Sequence, residues 1–159
     1  MRKRSKYRPK PVLANTIGFV LEGMQPAANV DGGSYLLDLK IKNHDAIDAL
    51  RRGEATKAQM DTLIAMNNMT EALFRMGFGT EYGAVVAEGY STMKEVCCRF
   101  ARDGRVTLYP RELIALNAHL ELHDAQMDVI TVKDVERAVN MITQEVAQKR
   151  AFRIQGARV

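Results

Sequence analysis

From Thr56 to Val146 the chain places apolar residues three or four positions apart, stretch after stretch. Met60, Leu63, Met66, Met69, Leu73 and Met76 form one such stripe, and Tyr82, Val86, Tyr90, Met93, Cys97 and Phe100 form the next. Leu113, Leu116, Leu120 and Met127 make a third, followed by Val132, Val135, Val139, Ile142 and Val146. This is the period of an α-helix with one apolar side. Such a helix cannot bury its stripe alone, so four of them must pack together. The pattern predicts an all-α fold: an antiparallel bundle of about four long helices plus one or two short ones.

Local signals agree with the stripes. Thr56 with Gln59, and Thr131 with Asp134, have the spacing of capping boxes at helix starts. Gly77, Gly79 and Gly104 punctuate, and Pro110 suits the first turn of a helix, where its missing N–H is not needed. Val106–Leu108 reads as a short extended piece. Upstream the pattern changes. Tyr35, Leu37, Leu39 and Ile41 alternate with their neighbours, which predicts a minor strand at 35–42. Asn43 would then cap a short helix with Ile47 and Leu50 turned inward, ended by Gly53. Residues 25–34, QPAANVDGGS, have loop composition. In the last helix the stripe is expected to be buried, so Val139→Asp should unfold the bundle.

Charge divides the chain into three parts. Residues 1–10 hold Arg2, Lys3, Arg4, Lys6, Arg8 and Lys10, and residues 149–159 hold Lys149, Arg150, Arg153 and Arg158, with no acid in either stretch. These are ten of the 23 basic residues, so 13 remain against all 19 acids. The expected organisation is a basic arm at 1–11, one helical domain at 12–148 and a basic tail at 149–159. A Lys/Arg-rich start before an apolar stretch imitates a secretory signal. Here Asn15 and Thr16 interrupt the stretch and Glu22 closes it. Leu13, Ile17, Val20, Leu21 and Met24 instead fall on one side of a helix over 12–24. No apolar run reaches the roughly 18 residues of a membrane span. The expected location is cytoplasmic.

Candidate chemistry is sparse. His119 and His123 stand one helical turn apart, the spacing that puts two imidazoles on one metal, with Asp124 or His44 as a third ligand. No HExxH order accompanies them, and the preferred reading is a partly exposed His119 and a His123 beside the stripe, with no metal and no cofactor. Cys97 and Cys98 are neighbours about 100° apart on a helix, and Cys97 lies on the stripe, so neither a disulfide nor redox chemistry is expected. No phosphate loop, dinucleotide fingerprint or nucleophile elbow is present. The four methionines at 60–76 suit a core better than an adaptable groove. No catalytic set emerges.

The basic ends carry the functional expectation. Six cations in ten residues, with Tyr7 among them, have nothing to bury but can follow phosphates and release their counterions. The expected contacts are Arg2, Lys3, Arg4, Lys6, Tyr7, Arg8, Lys10, Lys149, Arg150, Arg153 and Arg158. No element is suited to reading base edges, so binding to DNA or RNA should be largely indifferent to sequence. The alternative is a helical adaptor or inhibitor that binds a host or phage protein through a face of the bundle, and homo-oligomerisation stays open. The opening RKRSKYRPKP and the run KIKNHDAIDALRRGEAT at 40–56 resemble small uncharacterised proteins of proteobacterial phages and prophages. That resemblance covers about the first third of the chain and implies a non-enzymatic accessory role.

Overall fold

The computed structural model describes residues 23–148, and the helix expected over 12–24 and both basic ends lie outside the described residues apart from Gly23 and Met24. Five helices account for about three quarters of it: α1 (Ser34–Arg52), α2 (Lys57–Arg75), α3 (Gly83–Asp103), α4 (Pro110–Val129) and α5 (Val132–Ala147). Turns of 3-10 type occupy Ala27–Gly33 and Thr80–Tyr82. The fold is an all-α bundle. Helix α2 is its centre and packs against each of the other four. Among the described residues no helix is long and apolar enough to cross a membrane.

The starts and stops follow the local chemistry. The Gln59 amide donates to the Thr56 hydroxyl while the Gln59 side chain accepts from the Thr56 amide, and Thr131 with Asp134 repeats the arrangement. Pro110 opens α4, and the Glu112 carboxylate accepts the Tyr109 amide at 2.8 Å. Gly53 closes α1 at φ 71°, a left-handed conformation that a side chain would strain. Residues 105–109 form neither helix nor strand on the way to α4, with Tyr109 extended and Val106 buried. The 27–33 turn is irregular, with Asp31, Gly32 and Gly33 at positive φ, in keeping with its loop composition.

Residues 35–42 correct the expectation of a strand. They are the first half of α1, which also runs straight through Asn43 rather than starting there. The alternating residues mislead because Tyr35, Leu37 and Ile41 are exposed. The buried side of α1 is Leu36, Asn43, Ala46, Ile47 and Leu50, a helical stripe with a polar residue in its middle.

Helix α5 corrects a second expectation. Ala138 is its one fully buried residue, and Val139 and Val146 are each 46% exposed. Its valine stripe is half covered, so Val139→Asp should not by itself unfold the bundle.

The apolar core has two parts. One gathers residues such as Leu50, Met60, Leu63, Met93, Val96 and Leu116 from α1 to α4. The other gathers Ala27, Leu36, Leu73, Met127, Ile130 and Ala138 around the entry segment and α5. The entry segment is held by main-chain bonds to the α4–α5 turn: Ala27 donates to Ile130 at 2.9 Å and Val132 donates to Gln25 at 3.0 Å.

Candidate functional site

Between the two apolar clusters the helices bury polar side chains. Asn43 from α1, Asn67 and Thr70 from α2, and His119, His123 and Gln126 from α4 are all 2% exposed or less. On α1, Asn43 stands between Leu36 of one cluster and Ala46 of the other; on α2, Asn67 and Thr70 stand between Met66 and Ala72. The bundle therefore has a polar seam across its middle. Helix α3 contributes a gap rather than a side chain. A Cβ on Gly89 would lie 2.3 Å from His119 Nδ1 and 2.7 Å from its Cβ, so the imidazole packs directly on the α3 backbone.

The seam's hydrogen bonds are only partly made. Thr70 donates its hydroxyl to the Met66 carbonyl at 3.0 Å and lies 3.1 Å from His123 Nδ1. With the hydroxyl proton already committed, the ring must donate to Thr70, which assigns the His123 proton to Nδ1. A ring that donates to a hydroxyl cannot also deprotonate it, and Thr70 is wholly buried, so the pair is not an activated nucleophile. Gln126 Nε2 donates to the Phe78 carbonyl at 3.0 Å and the Thr70 carbonyl at 3.3 Å. Both amide atoms of Asn43 and Asn67, both His119 nitrogens and Gln126 Oε1 have no hydrogen-bond partner among the described residues.

Burial keeps both imidazoles neutral. It pushes His119 down to about 4, with the Val85 backbone, outside hydrogen-bond geometry, opposing. It pushes His123 down to about 4 as well; Asp124 opposes, while His119 and Lys40 add to the fall. At the rim, α1 is tied to α4 by His44 with Asp124 at 2.9 Å and Lys40 with Asp128 at 2.7 Å.

These positions revise the reading of the histidines. His119 is buried rather than partly exposed. His44, one candidate third ligand, engages Asp124 at the surface. Among the described residues no three His, Cys, Asp or Glu side chains are placed to hold a metal. Burial, with Cys98 and Asp61 nearby, pushes the Cys97 thiol up to about 12, so it stays protonated within the core. Asn67, Thr70 and Gln126 escaped the sequence reading, and Asn43 is a buried position within α1 rather than a helix cap. Their signal was available: each sits at a stripe position of its helix, where a polar residue breaks the apolar period.

The expected phosphate contacts, Arg2, Lys3, Arg4, Lys6, Tyr7, Arg8, Lys10, Lys149, Arg150, Arg153 and Arg158, all lie outside the described residues. The described part carries 13 basic residues against 18 acids, all but Glu22. Eight of those 13 stand in ion pairs: Lys40, Arg51, Arg52, Lys57, Arg75, Arg99, Arg102 and Arg137. Among the described residues, then, most positive charge is already matched.

No family model, curated protein or solved structure matches the chain. Its own residues carry the functional argument.

Gly89 tests the seam's packing. Gly89→Ala would normally stabilise a helix by about 1 kcal/mol. Here the new methyl must displace both the His119 ring and its Cβ, an overpacking of about 1–3 kcal/mol, so the net effect should be destabilising. Denaturant unfolding of the two proteins measures it. A more stable Gly89→Ala variant would show that α3 and α4 do not meet as described.

Proposed function

We propose that this is a non-catalytic, cytoplasmic accessory protein of phage or prophage type that contacts nucleic-acid phosphates through its two basic ends. The observation that carries the reading is the partition of charge. The described domain is net acidic and most of its cations are held by neighbouring carboxylates, while ten cations at the two ends have no acid in their own segments. A polyanion should therefore be drawn to the ends and repelled by the body. With phosphates as the target, affinity should fall steeply with salt and depend little on base sequence.

The test is a salt titration of the full chain and a variant lacking residues 1–10 on unrelated DNA and RNA duplexes. Each phosphate neutralised on duplex DNA contributes about 0.9 to the slope of log affinity against log salt. If about four of the six arm cations engage, the truncation should flatten the slope by roughly 3–4. Equal slopes, or no binding at low salt, would exclude the arm and favour the helical adaptor that binds a host or phage protein.

A further inference from the structure

One apolar surface of the bundle lacks a cover among the described residues. Val30, Tyr35, Leu36, Val132, Val135 and Val139 line a groove of about 270 Å³ whose accessible lining is wholly apolar. Three of these residues belong to the valine stripe of α5, and that stripe continues past the groove to Val146, again 46% exposed. Soluble domains seldom leave a continuous apolar helix face uncovered without a partner for it.

The described chain begins beside this groove. The Cβ direction of Gly23 meets Lys133 at 3.8 Å, and the Gln25 carbonyl accepts the Val132 amide at 3.0 Å. Residues 12–24 lead directly into that point, and their apolar positions are Leu13, Ile17, Val20, Leu21 and Met24. Leu13, Ile17, Val20 and Leu21, at helical spacing, therefore precede a groove to which α5 contributes Val132, Val135 and Val139 at the same spacing. The lengths also agree. At 1.5 Å per residue a helix over 12–24 is about 20 Å long, and the path from Val132 to Val146 is about 21 Å.

We propose that residues 12–24 form an amphipathic helix that docks antiparallel along α5 over this groove, bringing the N-terminal arm to the end of α5 from which the C-terminal tail departs. The direction follows from the anchor. Met24 is fixed near the first turn of α5, so a segment that covers the valine stripe must run back toward Ala147. Residues 1–10 then emerge where residues 149–159 begin, and the ten end cations form one basic surface at one end of the bundle. The use of that surface rests on the phosphate-binding reading, whereas the docking itself rests on the groove, the anchor and the matched stripes.

Hydrogen exchange followed by mass spectrometry, on the full chain at low micromolar concentration, tests this without nucleic acid. Amides of residues 13–21 should exchange at least tenfold more slowly than in an unstructured chain. A short amine-reactive crosslinker should join Lys10 to Lys149 within the monomer. Ile17→Asp, outside the described bundle, and Val139→Asp, on its half-exposed face, should each abolish both the protection and the crosslink. Sedimentation should give a monomer throughout, and a thermal melt should show that both variants keep their fold. Unprotected amides in the parent protein would overturn the docking. So would protection that survives both substitutions, or that grows with concentration alongside a dimer, which would place a second copy in the groove. Protection without the Lys10–Lys149 crosslink would overturn the antiparallel direction. Because no outcome involves nucleic acid, failure here and failure of the salt titration are separate results.

Discussion

Lowering the pH from 7 toward 4 should destabilise the domain before most of its carboxylates protonate, because His119 and His123 are buried as neutral rings. Each imidazole has an ordinary value of 6.5, which it recovers on unfolding, and about 4 in the fold. Between those values the unfolded chain binds protons that the native chain does not. Stability is therefore complete above pH 6.5 and is lost as the pH falls toward 4. At 1.36 kcal/mol per pKa unit, each ring can account for about 3 kcal/mol across that window. Two such contributions rival the 5–15 kcal/mol that holds a typical domain folded. Carboxylates that are favoured in the fold act later. Burial pushes Glu112 up, but bonds from Arg99 and the Tyr109 amide outweigh it and leave it below its ordinary 4.5, so its contribution disappears only below that pH. The measurement is the urea midpoint from pH 8 to pH 4, with the two imidazole signals followed by NMR. The midpoint should fall from about pH 6.5 downward while both rings stay neutral until the protein unfolds. A midpoint that is flat between pH 7 and pH 5 would mean that the rings are hydrated in the native state.

The same residues explain what the sequence shows plainly and what it hides. Helices α2 to α4 are legible because each carries a long apolar stripe, from Met60 to Leu73, Val86 to Cys97 and Leu116 to Met127, with Thr56 capping α2, Gly104 ending α3 and Pro110 opening α4. Helix α1 is disguised. Its buried stripe contains Asn43, and its exposed side carries Tyr35, Leu37 and Ile41, which together imitate a strand. Period-two alternation identifies a strand only if the alternate residues are buried, and burial is a property of the partner helix α2. Helix α5 is the reverse case. Its stripe is the most regular in the chain, yet Val139 and Val146 stay half exposed because the described residues cover only one side of it. The polar seam needs three helices to become visible. Alone, Asn67 or Gln126 is an interruption in a stripe; only their convergence with Asn43, His119 and His123 divides the core in two. The charge partition needs no structure to be counted. The structure adds which cations the domain uses for itself.

Arg99→Ala should be among the most destabilising single changes outside the apolar core. Arg99 on α3 grips Glu112 on α4 with two bonds of 2.7 Å, and its guanidinium also stacks over the Tyr109 ring, 4.9 Å from the centroid. Glu112 is 2% exposed, so without Arg99 its carboxylate would keep only the Tyr109 amide as a partner. Breaking a buried pair from one side costs about 3–5 kcal/mol, because the remaining charge is neither solvated nor matched. The partners are not equivalent. Arg99, at 20% exposure, can turn toward water when Glu112 is neutralised, so Glu112→Gln should cost less than Arg99→Ala. Glutamine also retains an oxygen for the Tyr109 amide and so preserves the start of α4. Adding Glu112→Gln to Arg99→Ala should therefore recover part of the lost stability, and the cost of Arg99→Ala should shrink in acid as Glu112 takes up a proton. Urea unfolding of the wild type, both single variants and the double variant completes the cycle. Costs that simply add would mean that the pair is solvated like an ordinary surface ion pair. The consequence reaches the seam, because Arg99 and Glu112 clamp the two helices that bring His119 onto Gly89. Loosening the clamp should let water reach that ring and return its value toward 6.5, so the urea midpoint should fall less steeply between pH 7 and pH 5 in Arg99→Ala than in the parent protein.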